Sequence, residues 1–236
     1  SIYSNFINIV DTYNFTNTVN TVNIWMLGDM VSGIIHEELH QGVNITEEVI
    51  CTAEYLSELI HCLSQEFKNI KVTGVVGNHG RMTQKPTHKE KYSSFDYLMY
   101  KFIENKCGNL TNVLFNIPKT SFVIENIYDY NFFLDHGENI GGSGVPFNSL
   151  KNRSNNISNI ISYKKDMLIH YYCVGHYHNS NILDRTGGKV IINGSLVGYN
   201  EYAMDKNCSF SEPKQICFVV NEKHGVNSVI EVPTDA

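Results

Sequence analysis

No run in this chain is long and apolar enough to cross a bilayer, and no secretory signal pattern opens it. A membrane partner is therefore not expected, and a cytoplasmic location is. The six cysteines include no Cys-x-x-Cys pair. Several of Cys51, Cys62, Cys107, Cys173, Cys208 and Cys217 sit in apolar patterns, which predicts buried free thiols in a reducing compartment. Charge is scarce too: 18% of residues are charged against 42% hydrophobic, a balance that argues against disorder. A basic excess is missing, the formal net charge being −6. That weakens a nucleic-acid substrate without excluding it, because bound metal ions can reverse the local sign of a site. Lys85, Lys89 and Lys91 also cluster in one short segment. With no internal repeat or low-complexity linker, the 236 residues are read as a single domain, 1–236.

What is present alternates between strand-like and helix-like patterns. Ile2, Phe6, Ile9 and Val10 recur at helical spacing within residues 2–13. Thr46 is the expected N-cap of a second helix, with Glu47 and Glu48 suiting its N-terminus. Val49, Ala53, Leu56, Ile60, Leu63 and Phe67 mark its buried stripe. A third helix is predicted over 93–106, with Phe95, Leu98, Met99 and Phe102 inward and Gly108 near its end. Residues 113–115 and 121–125 read as strands, and 155–165 as a helix. Beyond Gly175 short strands prevail: Gly187-Gly188 closes a hairpin, and 216–220 and 229–232 end the sheet. Strands alternating with helices, followed mostly by strands, predict an α/β protein built as a two-sheet sandwich with helices outside.

Four polar segments punctuate this pattern: Gly28-Asp29, Gly77-Asn78-His79, Asp135-His136-Gly137 and Gly175-His176-Tyr177-His178. Each follows an apolar, β-prone run, at 22–27, 72–76, 132–134 and 171–174. In α/β sheets, functional side chains gather beyond the carboxyl ends of strands. Four such ends would bring Asp29, Asn78, His136, His176 and His178 together. That mixture of oxygen and imidazole donors suits a divalent transition metal.

The order and spelling of these segments resemble the calcineurin-like metallophosphoesterases. Their pattern runs Asp-x-His, Gly-Asp, Gly-Asn-His, a lone His, then Gly-His-x-His. All but the first segment are present, over about residues 19–202. The aspartate upstream is Asp11, followed by Thr12 and Tyr13 where the family has x-His. Parallel strands need a crossover of roughly a dozen residues or more, and too little chain separates Asp11 from the strand opening near Val19. Residues 2–13 then correspond to the end of a crossover helix. The chain opens without an initiator methionine, and the expectation is a protein that has lost, or does not show, its N-terminal strand. The missing Asp-x-His leaves near-inertness of this chain alone as the alternative to an active hydrolase.

The resemblance also implies roles. Asp29 would bridge two divalent ions roughly 3.5–4 Å apart; a turn aspartate bracing residues 30–33 is the alternative. Asn78, His136 and His176 would hold the second ion and His178 the first. Asparagine after glycine is also ordinary turn chemistry. Asp135 and Glu138 are rival donors beside His136, although alternation along a strand keeps Asp135 and His136 from sharing a face. His79 would donate a proton to the leaving group, a contribution of about 10²–10⁴-fold in general acid catalysis. Gly80 stands where many relatives carry an acidic residue that orients this histidine. Arg81 would contact a non-bridging phosphate oxygen with its forked donors, a solvated loop arginine being the alternative. Tyr199 and Tyr202, after Asn193-Gly194-Ser195, would stack on a base or ring, or lie half-buried with no such role.

Taken as a whole, the resemblance implies a two-metal phosphoester hydrolase. Its ions would be manganese first, with iron, zinc or nickel as alternatives. A water made acidic between the ions would attack phosphorus in line. The Gly77-Asn78-His79-Gly80-Arg81 spelling and residues 194–202 look like bacteriophage-type members grouped with DNA-repair exonucleases. A phosphodiester substrate, DNA foremost, is expected on that ground, with the host cytoplasm as location if the source is viral. A homodimer and an ATPase companion are the partners such relatives use. Two rivals stand beside this reading: a non-catalytic interaction scaffold, and a phosphatase of small monoesters.

Overall fold

The computed structural model describes residues 2–12, 19–35, 43–86, 90–141, 144–198 and 211–234. Tyr199, Tyr202, Lys89 and Cys208 lie outside them. The chain divides into two compact units, Phe6–Ser121 and Phe122–Ala236, the latter with Ser1–Asn5. Among the described residues the class is α/β, with several sheets and four helices.

In Phe6–Ser121 the strands Thr21–Met26 (β1), Asn69–Gly74 (β2) and Val113–Asn116 (β3) form a parallel sheet in that order. Parallel neighbours require crossovers. Here Ile45–Glu66 (α2) links β1 to β2, and Phe95–Lys106 (α3) links β2 to β3. Ahead of them lies the helix Ile2–Thr12 (α1), whose Phe6 packs its ring 6.2 Å from that of Phe67. The N-cap of α2 is Asn44 rather than Thr46. The Asn44 side chain accepts from the Glu47 N–H at 3.1 Å, and the Glu47 carboxylate accepts from the Asn44 N–H at 3.4 Å. Asn44 has the extended backbone a cap needs, whereas Thr46 is already inside the first turn. The stripe of α2 packs as predicted through Val49, Ala53, Ile60 and Leu63.

Helix α3 differs from expectation in its rotation. Its inward residues are Asp96, Met99, Tyr100 and Ile103, while Leu98 and Phe102 are 39% and 45% exposed. Both sets have helical spacing. The buried one contains an aspartate, which hydrophobicity alone would place outside.

In the other unit Phe122–Ile127 (β4), Tyr130–Asp135 (β5), Tyr171–Val174 (β6), Asn181–Arg185 (β7) and Gly188–Ile192 (β8) form one sheet, ordered β4-β5-β6-β8-β7. β5, β6 and β8 run parallel, and β4 and β7 pair antiparallel at the edges. Helix Phe147–Lys165 (α4) joins β5 to β6 and starts well before residue 155. Its inward face is Leu150, Ser154 and Ser158, so small serines carry the periodicity that apolar residues would normally show. Phe133, Ile140, Leu150, Ile169, Tyr172, Val174, Val190 and Ile192 form the core of this unit. Lys214–Asn221 (β9) and Gly225–Pro233 (β10) do not extend that sheet as expected; they hydrogen-bond as a separate antiparallel ribbon. Phe218 stacks on Phe132 at 5.9 Å, so the ribbon packs against β5 by its side chains.

No helix among the described residues is long and apolar enough to cross a membrane. Cys107 and Cys173 are buried free thiols, as expected, but Cys51 lies exposed on α2.

Candidate functional site

Within Phe6–Ser121, the parallel register pairs Met26 with Gly74, so the segments after β1 and β2 emerge side by side. They touch at glycines. A Cβ on Gly28, whose φ is +85°, would sit 2.3 Å from the Gly77 nitrogen; one on Gly77 would sit 2.2 Å from the Asp29 Oδ1. Side chains at either place would force the two backbones apart. Asp29 itself holds a left-handed backbone, φ 53°. Such conformations cost a non-glycine residue about 1–3 kcal/mol and collect at functional sites. Its Oδ1 accepts the His79 backbone N–H at 2.7 Å, tying the second motif to the first.

A residue that sequence reading passed over organises this corner. Asp96, fully buried on α3, accepts three backbone N–H groups: Gly77 at 2.8 Å, Met30 at 3.1 Å and Asp29 at 3.2 Å. One carboxylate thereby clamps both motif loops. Gly80 makes room for it, since a Cβ there would lie 2.6 Å from the Asp96 Cγ. Next to it the Tyr100 hydroxyl donates to the Val75 carbonyl at 3.0 Å. Burial, with the nearby Asp96 charge adding to it, raises the Tyr100 phenol well above its ordinary pKa. The signal for Asp96 was its place in the sequence, three and four residues before Met99 and Tyr100.

The His79 ring is oriented by a main-chain group: its Nδ1 lies 2.9 Å from the Ser32 carbonyl oxygen. Arg81 folds onto its own loop, donating to the carbonyls of Thr83 at 3.0 Å, Gln84 at 3.1 Å and Asn78 at 3.4 Å. Asn78 is half-buried at the same turn.

The second unit repeats the arrangement. Asp135 pairs with Val174 at the ends of the parallel strands β5 and β6, placing His136 and Gly175-His176 beyond adjacent carboxyl ends. His136 is fully buried, and its Nε2 lies 3.2 Å from the Nδ1 of His176. Two imidazole nitrogens facing each other need a proton or a cation between them. This donor pair fits a first-row divalent ion. His176 and His178 have φ of 63° and 52°, again left-handed. His178 is exposed. Tyr177, between them, donates its hydroxyl to the carbonyls of Gly137 at 3.0 Å and Ile140 at 3.3 Å, pinning the turn. Burial pushes its phenol up to about 12.

Asp135 faces away from His136, as the pleat requires. The Tyr172 hydroxyl donates to its Oδ2 at 3.0 Å and the Arg153 Nη2 at 3.3 Å, while the Arg153 Nε donates to the Tyr172 oxygen at 3.2 Å. The carboxylate beside His136 thus anchors β5 to α4.

No protein-family model matches the chain, and no curated protein matches it. Among solved structures it is similar to an archaeal phosphodiesterase, with 16% identity, 97% of this chain and 92% of that one covered, and a TM-score of 0.44. Vacuolar protein sorting 29 from Cryptosporidium parvum shares 14% identity over 90% of this chain and 97% of that one, at TM-score 0.39. A predicted phosphoesterase from Streptococcus pneumoniae shares 6% over 89% and 96%, at 0.34. Each is a loose likeness of backbone trace.

Proposed function

We propose that the chain is a metal-dependent phosphoester hydrolase of the calcineurin-like kind, acting on a phosphodiester, DNA foremost. The observation that supports this best is the repeated placement of the motif segments. Gly28-Asp29 and Gly77-Asn78-His79 leave neighbouring parallel strands in one unit, and His136 and Gly175-His176 do so in the other. Left-handed backbone at Asp29, His176 and His178 adds to it.

Asp29, Asn78, His136, His176 and His178 would hold two divalent ions, manganese first. Such ions supply, when bound, stabilisation of phosphoryl charge and a lowered pKa for water. The chain's own groups do the rest. Water forms the new bond to phosphorus and releases one proton to the solvent while the bond to the leaving oxygen breaks. That oxygen takes its proton from His79 Nε2, because Nδ1 is committed to Ser32. Asp96 and the Arg153–Tyr172–Asp135 group keep the donor loops in place. The lean to DNA rests on the bacteriophage-like spelling of residues 77–81 and 194–202.

The test is metal analysis of the purified protein after manganese loading, with hydrolysis of bis(p-nitrophenyl) phosphate, p-nitrophenyl phosphate and linear DNA. Manganese-dependent cleavage favouring diesters is expected. A monoester preference would move the assignment to a phosphatase, and bound metal without turnover would move it to a scaffold. A protein that retains no divalent ion would sink the reading altogether.

A further inference from the structure

Gly80, directly after Gly77-Asn78-His79, offers His79 no side chain, yet a carboxylate reaches it by a longer route. Glu48, half-buried in the first turns of α2, accepts with its Oε2 the Ser32 N–H at 2.9 Å and the Gly33 N–H at 3.3 Å. The Gly33 N–H and the Ser32 carbonyl belong to one peptide group. That carbonyl oxygen lies 2.9 Å from His79 Nδ1. The order is therefore carboxylate, peptide, imidazole. Gly33 is suited to the position: its φ is +73°, and a Cβ would lie 1.8 Å from the His79 carbonyl oxygen. Helix capping does not account for Glu48, because Glu47 makes the capping box with Asn44.

We propose that Glu48 is a positioning residue for His79, acting through the Ser32–Gly33 peptide. This rests on His79 being the proton donor described above. A carbonyl oxygen can only accept, so a hydrogen bond to it requires the proton on Nδ1 and leaves the exchangeable chemistry to Nε2. Negative charge at the N–H end of the peptide polarises it and makes its carbonyl a stronger acceptor. Glu48 thus does from α2, through one peptide, what an acidic residue at position 80 would do directly. Asp96 fills the space at Gly80, so a side chain there has no room.

The experiment compares wild type, Glu48→Gln and Glu48→Ala on the manganese-loaded full chain for kinetics, and on the metal-free chain by nitrogen-detected NMR of the histidine rings. His79 is assigned by its absence in His79→Ala. While the ring is neutral, wild type should show the Nδ1–H tautomer, to which Nε2 adds the proton it later donates, and Glu48→Ala should shift the neutral ring toward Nε2–H, with Glu48→Gln between them. Kinetically, kcat on a thymidine dinucleotide, whose alkoxide leaving group needs a proton, should fall about 10–100-fold in Glu48→Ala, part of the range general acids supply. On bis(p-nitrophenyl) phosphate, whose leaving group is already stable as an anion, kcat should fall far less, with KM and bound manganese unmoved on both. An unshifted tautomer in both variants overturns the relay, and so does an equal kinetic loss on both substrates. If wild type hydrolyses nothing, the hydrolase reading fails, while the ring tautomer still decides whether Glu48 governs His79. Should Glu48→Ala not fold, Glu48→Gln alone carries both measurements.

Discussion

Gly77 and Asp96 show how much of the corner around Asp29 depends on groups that bind nothing themselves. The backbone of Gly77 is not left-handed, so alanine there is opposed by contact alone, with Cβ 2.2 Å from the Asp29 Oδ1 and 2.4 Å from its nitrogen. Both atoms belong to a proposed ligand. Gly77→Ala should therefore push the carboxylate aside and weaken manganese binding about 10–100-fold, the usual size of effects from residues supporting a ligand. Calorimetric titration with manganese checks it; unchanged affinity would remove Asp29 from the ligand set. Asp96→Asn is a near-isosteric change with a different consequence. Three N–H groups converge on the carboxylate, and the amide offers one acceptor oxygen while turning its own N–H toward donors. A loss of about 3 kcal/mol in unfolding free energy is expected from donors left unsatisfied in a buried place. Urea denaturation measures it, and a loss under about 1 kcal/mol would mean that the clamp is not what joins the two loops.

At the scale of elements, what was legible followed from periodicity and from turn chemistry. The strands before each motif, the stripe of α2 and the Gly187-Gly188 hairpin all come from patterns that apolar residues and glycines write plainly. The rest was hidden by polar residues doing apolar work. On α3, Phe95, Leu98, Met99 and Phe102 compete with Asp96, Met99, Tyr100 and Ile103 at the same spacing, and a buried carboxylate decides between them. On α4, Ser154 and Ser158 face inward, so the first turns look like loop. Asp135 could be told from His136 by the pleat, but its partners on α4 and β6 could not be foreseen from chain order. That ion pair carries a prediction. Asp135 is buried, its side chain 5% exposed, whereas Arg153 is 37% exposed. Arg153→Ala leaves the carboxylate with the Tyr172 hydroxyl but without its cation, and should cost about 2 kcal/mol because a buried charge loses its counterpart. Arg153→Lys should recover only part of it, since an ammonium lacks the planar fork that reaches both Tyr172 and Asp135. Wild-type stability of Arg153→Lys in urea would show that the fork is irrelevant.

Across the whole molecule, the net charge of −6 says little about the candidate site, because the groups that matter are few and local. Its more telling property is the set of weak acids held neutral inside. Burial raises Cys217 from 9.0 to about 11 and Tyr177 from 10.0 to about 12, and it raises Tyr100, Tyr172 and Cys173 as well. For Tyr172 the neighbouring Asp135 charge pushes in the same direction. The sign of the linkage follows. Above the unfolded pKa of each group the unfolded chain has released a proton that the folded chain keeps, so unfolding releases protons and stability falls as pH rises. The contribution is complete below about pH 8, where unfolded thiols and phenols are neutral as well. It is lost progressively through 11 for Cys217 and 12 for Tyr177. The urea midpoint should therefore hold steady between about pH 7 and 8 as far as these groups are concerned, then decline steeply above about pH 9.5. The part of the phenolate absorbance near 295 nm that belongs to Tyr100 and Tyr172, read as the difference from the Tyr100→Phe and Tyr172→Phe variants, should appear together with unfolding rather than before it, because burial opposes their ionisation in place. Phenolate signal from those rings at full native stability would falsify their assignment as sealed, neutral members of the two cores.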